Sequence, residues 1–238
     1  LTSDASTQHY YDDFARHYDD GRDRGYHRLI DDLESGVVSP LAQGKEVLEV
    51  GCGTGLLLER IAAVATRAEG IDLSLGMLER AQARGLRVRQ GSATDLPYPD
   101  ASFDVTYSFK VLAHVPDLPR ALSEMARVTR PGGYVVYELY NRHSLRYLAR
   151  WAAGARRIGV AHDESDVLTR WHTPRQMREL APMGTEVVSV VGVRIATPAA
   201  VLHRVALLGA ALDRLERRLS RGRLAVFGGF VVVVARRT

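Results

Sequence analysis

A chain of 238 residues is long enough for one generous domain, or one with an inserted lid, and too short for two full enzyme domains. Hydrophobic residues at 46% and charged ones at 25% exclude a disordered or fibrous chain, and the longest apolar runs, Val205–Leu212 and Val231–Ala235, fall far below the ~18 residues of a membrane span. The net charge is a modest +4, and Cys52, the only cysteine, excludes a disulfide framework and a cysteine-based zinc site, so a reducing, cytoplasmic setting is expected.

Residues 5–34 read as helical, with Tyr10, Tyr11, Phe14 and Tyr18 recurring near one face. No basic-then-apolar leader is read there, so secretion is not expected. Lys45–Val50 predicts a short strand running into Gly51-Cys52-Gly53-Thr54-Gly55, and Leu56–Val64 a helix. Arg67–Asp72 predicts a second strand ending on an acid, and Ser74 opens a helix with Glu79 and Arg80 outward. Leu86–Gln90 is a third strand, Asp95–Ser102 a loop, Phe103–Phe109 a fourth strand and Leu118–Thr129 a helix. Gly132–Leu139 follows the Pro131-Gly132-Gly133 turn as a fifth strand.

Strands and helices alternating at this spacing imply βαβ units and a parallel sheet covered on both faces. Residues 140–182 break the rhythm, with Trp151, Trp171 and many arginines but no clear strand, and read as a lid or insertion. Glu186–Ile195 and Ala225–Ala235 are β-branched runs suited to an antiparallel pair that finishes the sheet. Between them Val205, Leu208, Leu212, Leu215 and Leu219 recur at heptad-like spacing, and burial of this stretch is expected.

The glycine-rich turn between strand and helix lets a ligand approach the backbone at the carboxyl end of a parallel sheet. A dinucleotide site wants G-x-G-x-x-G, whereas here glycines 51, 53 and 55 give G-x-G-x-G and Leu56 takes the third dinucleotide position. No Gly-Lys-Ser/Thr follows, so the P-loop pattern fails as well. Glu49, two residues before the first glycine, would repel a pyrophosphate and attract an ammonium or a sulfonium. Asp72, ending the second strand, stands where a carboxylate accepts both hydroxyls of a ribose. A ligand with ribose, amino acid and positive sulfur, and no phosphate, is S-adenosylmethionine.

At these residues the chain resembles the class I S-adenosylmethionine-dependent methyltransferases, in their small-molecule group. Glu46–Gly55 (EVLEVGCGTG) is similar to the first motif of that family and Gly70–Met77 (GIDLSLGM) to its second. Gly91–Leu96 with Phe103–Ser108 is similar to its adenine loop and fourth strand, and Arg127–Gly133 (RVTRPGG) to the turn before its fifth strand. The resemblance covers residues 8–140 closely and the remainder loosely. It implies a Rossmann-like α/β fold, with a seven-stranded, mostly parallel sheet, helices on both faces and an antiparallel last strand. It divides the chain into an N-terminal lid helix plus cofactor-binding core over 1–139, a lid over the acceptor pocket at 140–182, and final strands with an inserted amphipathic helix at 183–238.

The resemblance also implies site roles. Gly51 and Gly53 would contact the methionine part through backbone, with Glu49 at the mouth and Cys52 filling the loop between them. Asp72 would hold the ribose, Leu73 and Met77 would pack on the adenine, Ala93 and Thr94 would meet its edge, and Ser108 or Phe109 would line the floor beneath the sulfonium. Tyr18, with Tyr10 and Tyr11, matches the N-terminal helix of the family, where a ring can attract a sulfonium. Ser92 stands where the family often has an acid, a departure that puts the adenine amino contact in doubt.

Methyl transfer needs a base only when the nucleophile must lose a proton, as with a hydroxyl or an acidic carbon. His114, in Val111–Asp117 (VLAHVPD), is the candidate base, alone where the resembled group often has two histidines, Ala113 replacing the first. Its other reading is a brace for the loop. Glu138, Tyr140 and His143 are second-rank candidates, and His172 before Thr173-Pro174 reads as a helix start. No cluster has metal spacing, so no metal is expected.

The charge is uneven: residues 1–40 hold nine acids against four arginines, and residues 204–238 eight arginines against Asp213 and Glu216. That basic end keeps an RNA methyltransferase open as an alternative. So does a scaffold that binds the cofactor without turnover. The reading favoured here is O- or C-methylation of a small, rather hydrophobic acceptor by in-line displacement in a monomer or homodimer, without nucleic acid.

Overall fold

The computed structural model describes residues 12, 15, 18–19, 21–22, 25–153, 157–158, 162–163, 169–197 and 200–238. Helix α1 (Gly25–Ala42) leads into β1 (Glu46–Val50), α2 (Leu56–Ala62), β2 (Arg67–Asp72), α3 (Leu75–Ala83), β3 (Arg87–Gln90) and β4 (Phe103–Ser108). Then come α4 (Leu118–Val128), β5 (Thr129–Asn141) and α5 (Leu145–Ala153), followed by the two-residue strands β6 (Arg157–Ile158), β7 (His162–Asp163) and β8 (Trp171–His172). The chain closes with α6 (Pro174–Glu179), β9 (Thr185–Val193), α7 (Ala206–Leu219) and β10 (Phe230–Arg237).

Seven strands lie in the order β3-β2-β1-β4-β5-β10-β9, and β8 adds a short eighth beside β5. Pairings from β3 to β5 are parallel, and β10 runs antiparallel to both β5 and β9. Strands in the middle read as near-continuous apolar runs because both their faces are covered. Alternate residues serve the two cores. Val47, Val105, Tyr107, Val136, Val232 and Val234 pack with Leu29, Leu33 and Val37 of α1 and Ile61 of α2. Leu48, Val50, Val135, Tyr137, Val231 and Val233 pack with Leu118, Leu122 and Met125 of α4 and Met177 of α6.

Local chemistry sets the helix starts. Asp117 caps α4 by accepting from Arg120 N at 3.1 Å, with Pro119 in the first turn. Ser74 caps α3 by accepting from Met77 N, and Thr173 forms a capping box with Gln176 at α6.

Several expectations need correction. Of the helix expected over 5–34, Asp12 is helical and α1 runs from Gly25 on to Ala42, while Tyr18–Asp19 and Gly21–Arg22 between them are turns, with Arg22 stacked on Tyr18. Tyr10, Tyr11 and Phe14 lie outside the described residues. Strand β5 is longer than Gly132–Leu139, and β10 starts at Phe230 because Arg223–Phe227 forms a 3-10 turn. Residues 140–182 do contribute a strand, β8, whose Trp171 and His172 pair with Tyr140 and Asn141.

Within the single chain Val205–Leu212 is not buried. Val205 is 59% exposed and Leu207 88%. The buried face of α7 is built around Glu216, whose carboxylate accepts from Ile195, Ala196 and Thr197 N at 2.7–2.9 Å. Three backbone donors fix the helix rotation, and the leucines turn outward with it.

Candidate functional site

A cavity of about 480 Å³ opens at the carboxyl ends of β1, β2, β4 and β5, within the range of small-molecule sites. Gly51 starts its floor. Its N–H bonds Ile71 O at 2.7 Å, and its φ of +78° together with a hypothetical Cβ only 2.3 Å from Val111 Cγ2 admits glycine alone. Gly53 donates to Asp72 Oδ2 at 2.8 Å, and open space lies where its Cβ would be.

Asp72 clamps the two strand ends, since its Oδ1 also accepts from Ser74 N at 2.9 Å. Burial raises its pKa against these two N–H donors. Each carboxylate oxygen has a second lone pair, so acceptor capacity remains. Glu49 is 4% exposed and takes the Tyr107 hydroxyl at 3.0 Å; burial drives its pKa well up in spite of that bond. Cys52 is buried, and burial, with Glu49 and Asp72, pushes its thiol up, which keeps it unreactive.

The structure brings most of the sequence-derived site together. Tyr18, Glu49, Gly51, Cys52, Gly53, Asp72, Leu73, Met77, Ala93, Phe109 and His114 all line this cavity. Ser108 and Thr94 do not. Ser108 Oγ is fully buried and donates to Val50 O at 2.7 Å, tying β4 to β1, and Thr94 turns its hydroxyl to Ser92 at 2.9 Å. No residue of 198–221 lines the cavity among the described residues; Tyr140, Arg146 and Thr169 do, from the 140–182 stretch.

Two charged regions divide the wall. Around the glycine loop, from Glu49 to Leu57 and from Ile71 to Ala93, the lining holds Glu49 and Asp72 and no lysine or arginine among the described residues. At the other end Lys110 Nζ lies 2.8 Å from Glu34 and 3.1 Å from Asp31, and Arg22 lies 3.4 Å from Asp31. Burial alone would depress Lys110, but Glu34 and Asp31 outweigh it and hold the ammonium above its ordinary value. Glu138, fully buried behind, accepts from Lys110 N at 3.2 Å, and burial with the neighbouring Glu34 pushes its pKa well up. Beside this group His114 Nε2 and Tyr140 Oη are 3.3 Å apart, with rings edge to face. Burial raises the Tyr140 phenol, which therefore stays protonated.

Sequence reading missed Asp31, Glu34, Arg22 and Arg146. The available signal was Asp31 and Glu34 spaced i, i+3 among the apolar positions of α1, a costly placement without a cation. It also missed how the N-terminal segment is pinned over the loop. Asp12 accepts from Gly76 N at 3.0 Å, and Asp19 takes Thr54 Oγ1 at 2.6 Å and Arg84 Nη2 at 2.9 Å.

The lining fits a phosphate-free, cationic nucleoside: two buried acids, glycine backbone open to close approach and apolar walls, with no lysine or arginine at that end among the described residues. Comparison with known proteins agrees. Residues 48–137 match the family described as Methyltransferase domain. A probable S-adenosylmethionine-dependent methyltransferase of Mycolicibacterium smegmatis is 34% identical over 178 residues, 74% of this chain and 60% of that protein. A ubiquinone biosynthesis O-methyltransferase of Thiobacillus denitrificans is 37% identical over 119 residues, 46% of this chain and 50% of that one. The chain thus spans about half the length of the curated relatives it matches. A solved S-adenosylmethionine-dependent methyltransferase of Thermotoga maritima superposes with a TM-score of 0.69 at 23% identity, covering 97% of this chain and 99% of that one.

Proposed function

Because the chain belongs to the class I S-adenosylmethionine-dependent methyltransferases, we propose that it transfers a methyl group to oxygen or carbon of a small organic acceptor. One observation carries this reading: a loop lined by Glu49 and Asp72, with no lysine or arginine among the described residues, and a His114–Tyr140 pair share the wall of a single cavity. The O-methyltransferase among the relatives supports it.

Bound, S-adenosylmethionine supplies an electrophilic methyl on a cationic sulfur. The residues do the rest. Asp72 holds the ribose hydroxyls with its remaining lone pairs, and Glu49 attracts the cationic amino-acid end. Gly51 and Gly53 let that end sit against backbone, with Cys52 between them. Leu73, Met77 and Ala93 flank the adenine, Phe109 and Tyr18 border the middle of the cavity, and Tyr140, Arg146 and Thr169 line it from the 140–182 stretch. His114 takes the proton of the acceptor. His114 Nε2 lies 3.3 Å from Tyr140 Oη, a contact that holds the imidazole in place on the cavity wall. Tyr140, held neutral, fixes that orientation. Positioning and water exclusion supply much of the rate, since charge is dispersed as the methyl moves.

The test is methyl transfer from labelled S-adenosylmethionine to a panel of phenols and enolisable carbonyl compounds. His114→Ala should lower kcat about 10²-fold or more and leave affinity for the demethylated product unchanged. Binding of that product with no transfer to any acceptor would defeat the proposal in favour of a scaffold.

A further inference from the structure

Charge accounting along the cavity wall leaves a cation over. Glu49 and Asp72 serve the cationic ligand, while Asp31 and Glu34 are matched by Arg22 and Lys110. Glu138 accepts from Lys110 N and makes no ion pair with Arg146 among the described residues. Arg146 remains. It lines the cavity, and among the described residues it has no ion pair with a carboxylate. Its guanidinium stacks on Tyr140 at 4.4 Å, Phe230 at 4.6 Å and Trp171 at 5.1 Å. Ring faces attract a cation and fix its plane, but they leave in-plane N–H donors unmatched. Such a group is costly on a cavity wall unless an anion completes it, and a carboxylate has the two oxygens that match the guanidinium fork.

We propose that the acceptor of this cavity carries a carboxylate, bound by Arg146, about one aromatic ring's length from the group that is methylated. The proposal rests on the methyltransferase reading and narrows it. Tyr140 sets the spacing, since its ring is stacked by Arg146 on one side and lies 5.5 Å from the His114 ring on another. Anion site and base therefore flank one phenol, a separation suited to a hydroxy acid about one aromatic ring in length.

The experiment titrates the protein, saturated with S-adenosylhomocysteine, with 4-hydroxybenzoate and with its neutral amide. Emission of Trp171 reports binding in a W151F background, Trp151 being 80% exposed on α5. The acid should bind about 10-fold or more tightly than the amide, as a charge-assisted bond requires. R146Q should erase that preference, R146K should keep part of it, and both should bind S-adenosylhomocysteine as the wild type does. Equal binding of acid and amide by the wild type, binding of neither, or a preference that survives R146Q overturns the proposal. The wild-type comparison needs no variant, so a misfolded R146Q cannot shelter it. A wild type that does not bind S-adenosylhomocysteine fails the methyltransferase reading, and this proposal with it; lost acid preference with that ligand bound fails this proposal alone.

Discussion

Replacing Glu49 by glutamine should make the ligand-free protein more stable and its cofactor affinity weaker. Glu49 is buried beside a single neutral donor, Tyr107, and desolvation holds its folded pKa well above 4.5. An acid whose folded pKa is raised contributes its full stability below about pH 4.5 and loses it as pH rises through the folded value. Each pH unit crossed in that window costs about 1.4 kcal/mol. Glutamine is neutral throughout and can still accept from Tyr107, so E49Q removes this loss. For a chain of this size about 1 kcal/mol corresponds to roughly 2–4 °C in Tm. The difference in Tm between E49Q and wild type should therefore grow as pH rises from 5 to 8. Binding runs the other way, because a cationic ligand favours the ionised carboxyl. Wild-type affinity for S-adenosylmethionine should increase with pH over that range, and E49Q should bind about 10- to 100-fold more weakly at pH 8, the worth of a charge-assisted hydrogen bond. Differential scanning calorimetry and titration calorimetry at matched pH read the two effects. An E49Q protein that is less stable at pH 8 and binds as tightly as wild type would refute the electrostatic assignment.

Asp72→Ala should weaken S-adenosylmethionine binding at least about 10-fold by calorimetry and lower Tm as well, because Gly53 N and Ser74 N lose their acceptor; unchanged affinity would remove Asp72 from the site. Gly51→Ala should cost about 1–2 kcal/mol from its φ of +78° alone, with the Val111 contact at 2.3 Å added to it. Thermal melting should show a drop of several degrees, and pairing the change with Val111→Ala should recover only the part due to the clash.

The sheet was legible because Lys45–Val50, Arg67–Asp72 and Phe103–Phe109 lie between turn residues and alternate with helical stretches at βαβ spacing. The glycine loop and Asp72 were legible for a related reason: backbone approach and a buried acid each leave a mark in local sequence. The rotation of α7 was not. Its outcome rests on Glu216 reaching the backbone of 195–197, a contact between distant segments that periodicity does not encode. For the same reason the far end of the cavity was hidden, since Lys110 meets Asp31 and Glu34 only after β4 and α1 pack together. Ser108 shows the converse error: family position pointed it at the ligand, whereas its hydroxyl is consumed by Val50 O.

The two ends of the cavity solve opposite electrostatic problems with the same material, buried acids. Around the glycine loop Glu49 and Asp72 make no ion pair among the described residues, and burial outweighs the pull of Lys110 on Glu49 and raises both pKa values, so the free protein carries that cost until a cation arrives. At the far end Lys110 and Arg22 sit against Asp31 and Glu34, so the acids are held by resident cations and have little to offer an incoming one. Reversing the arrangement would place ammonium and guanidinium groups beside the sulfonium, where they would repel it.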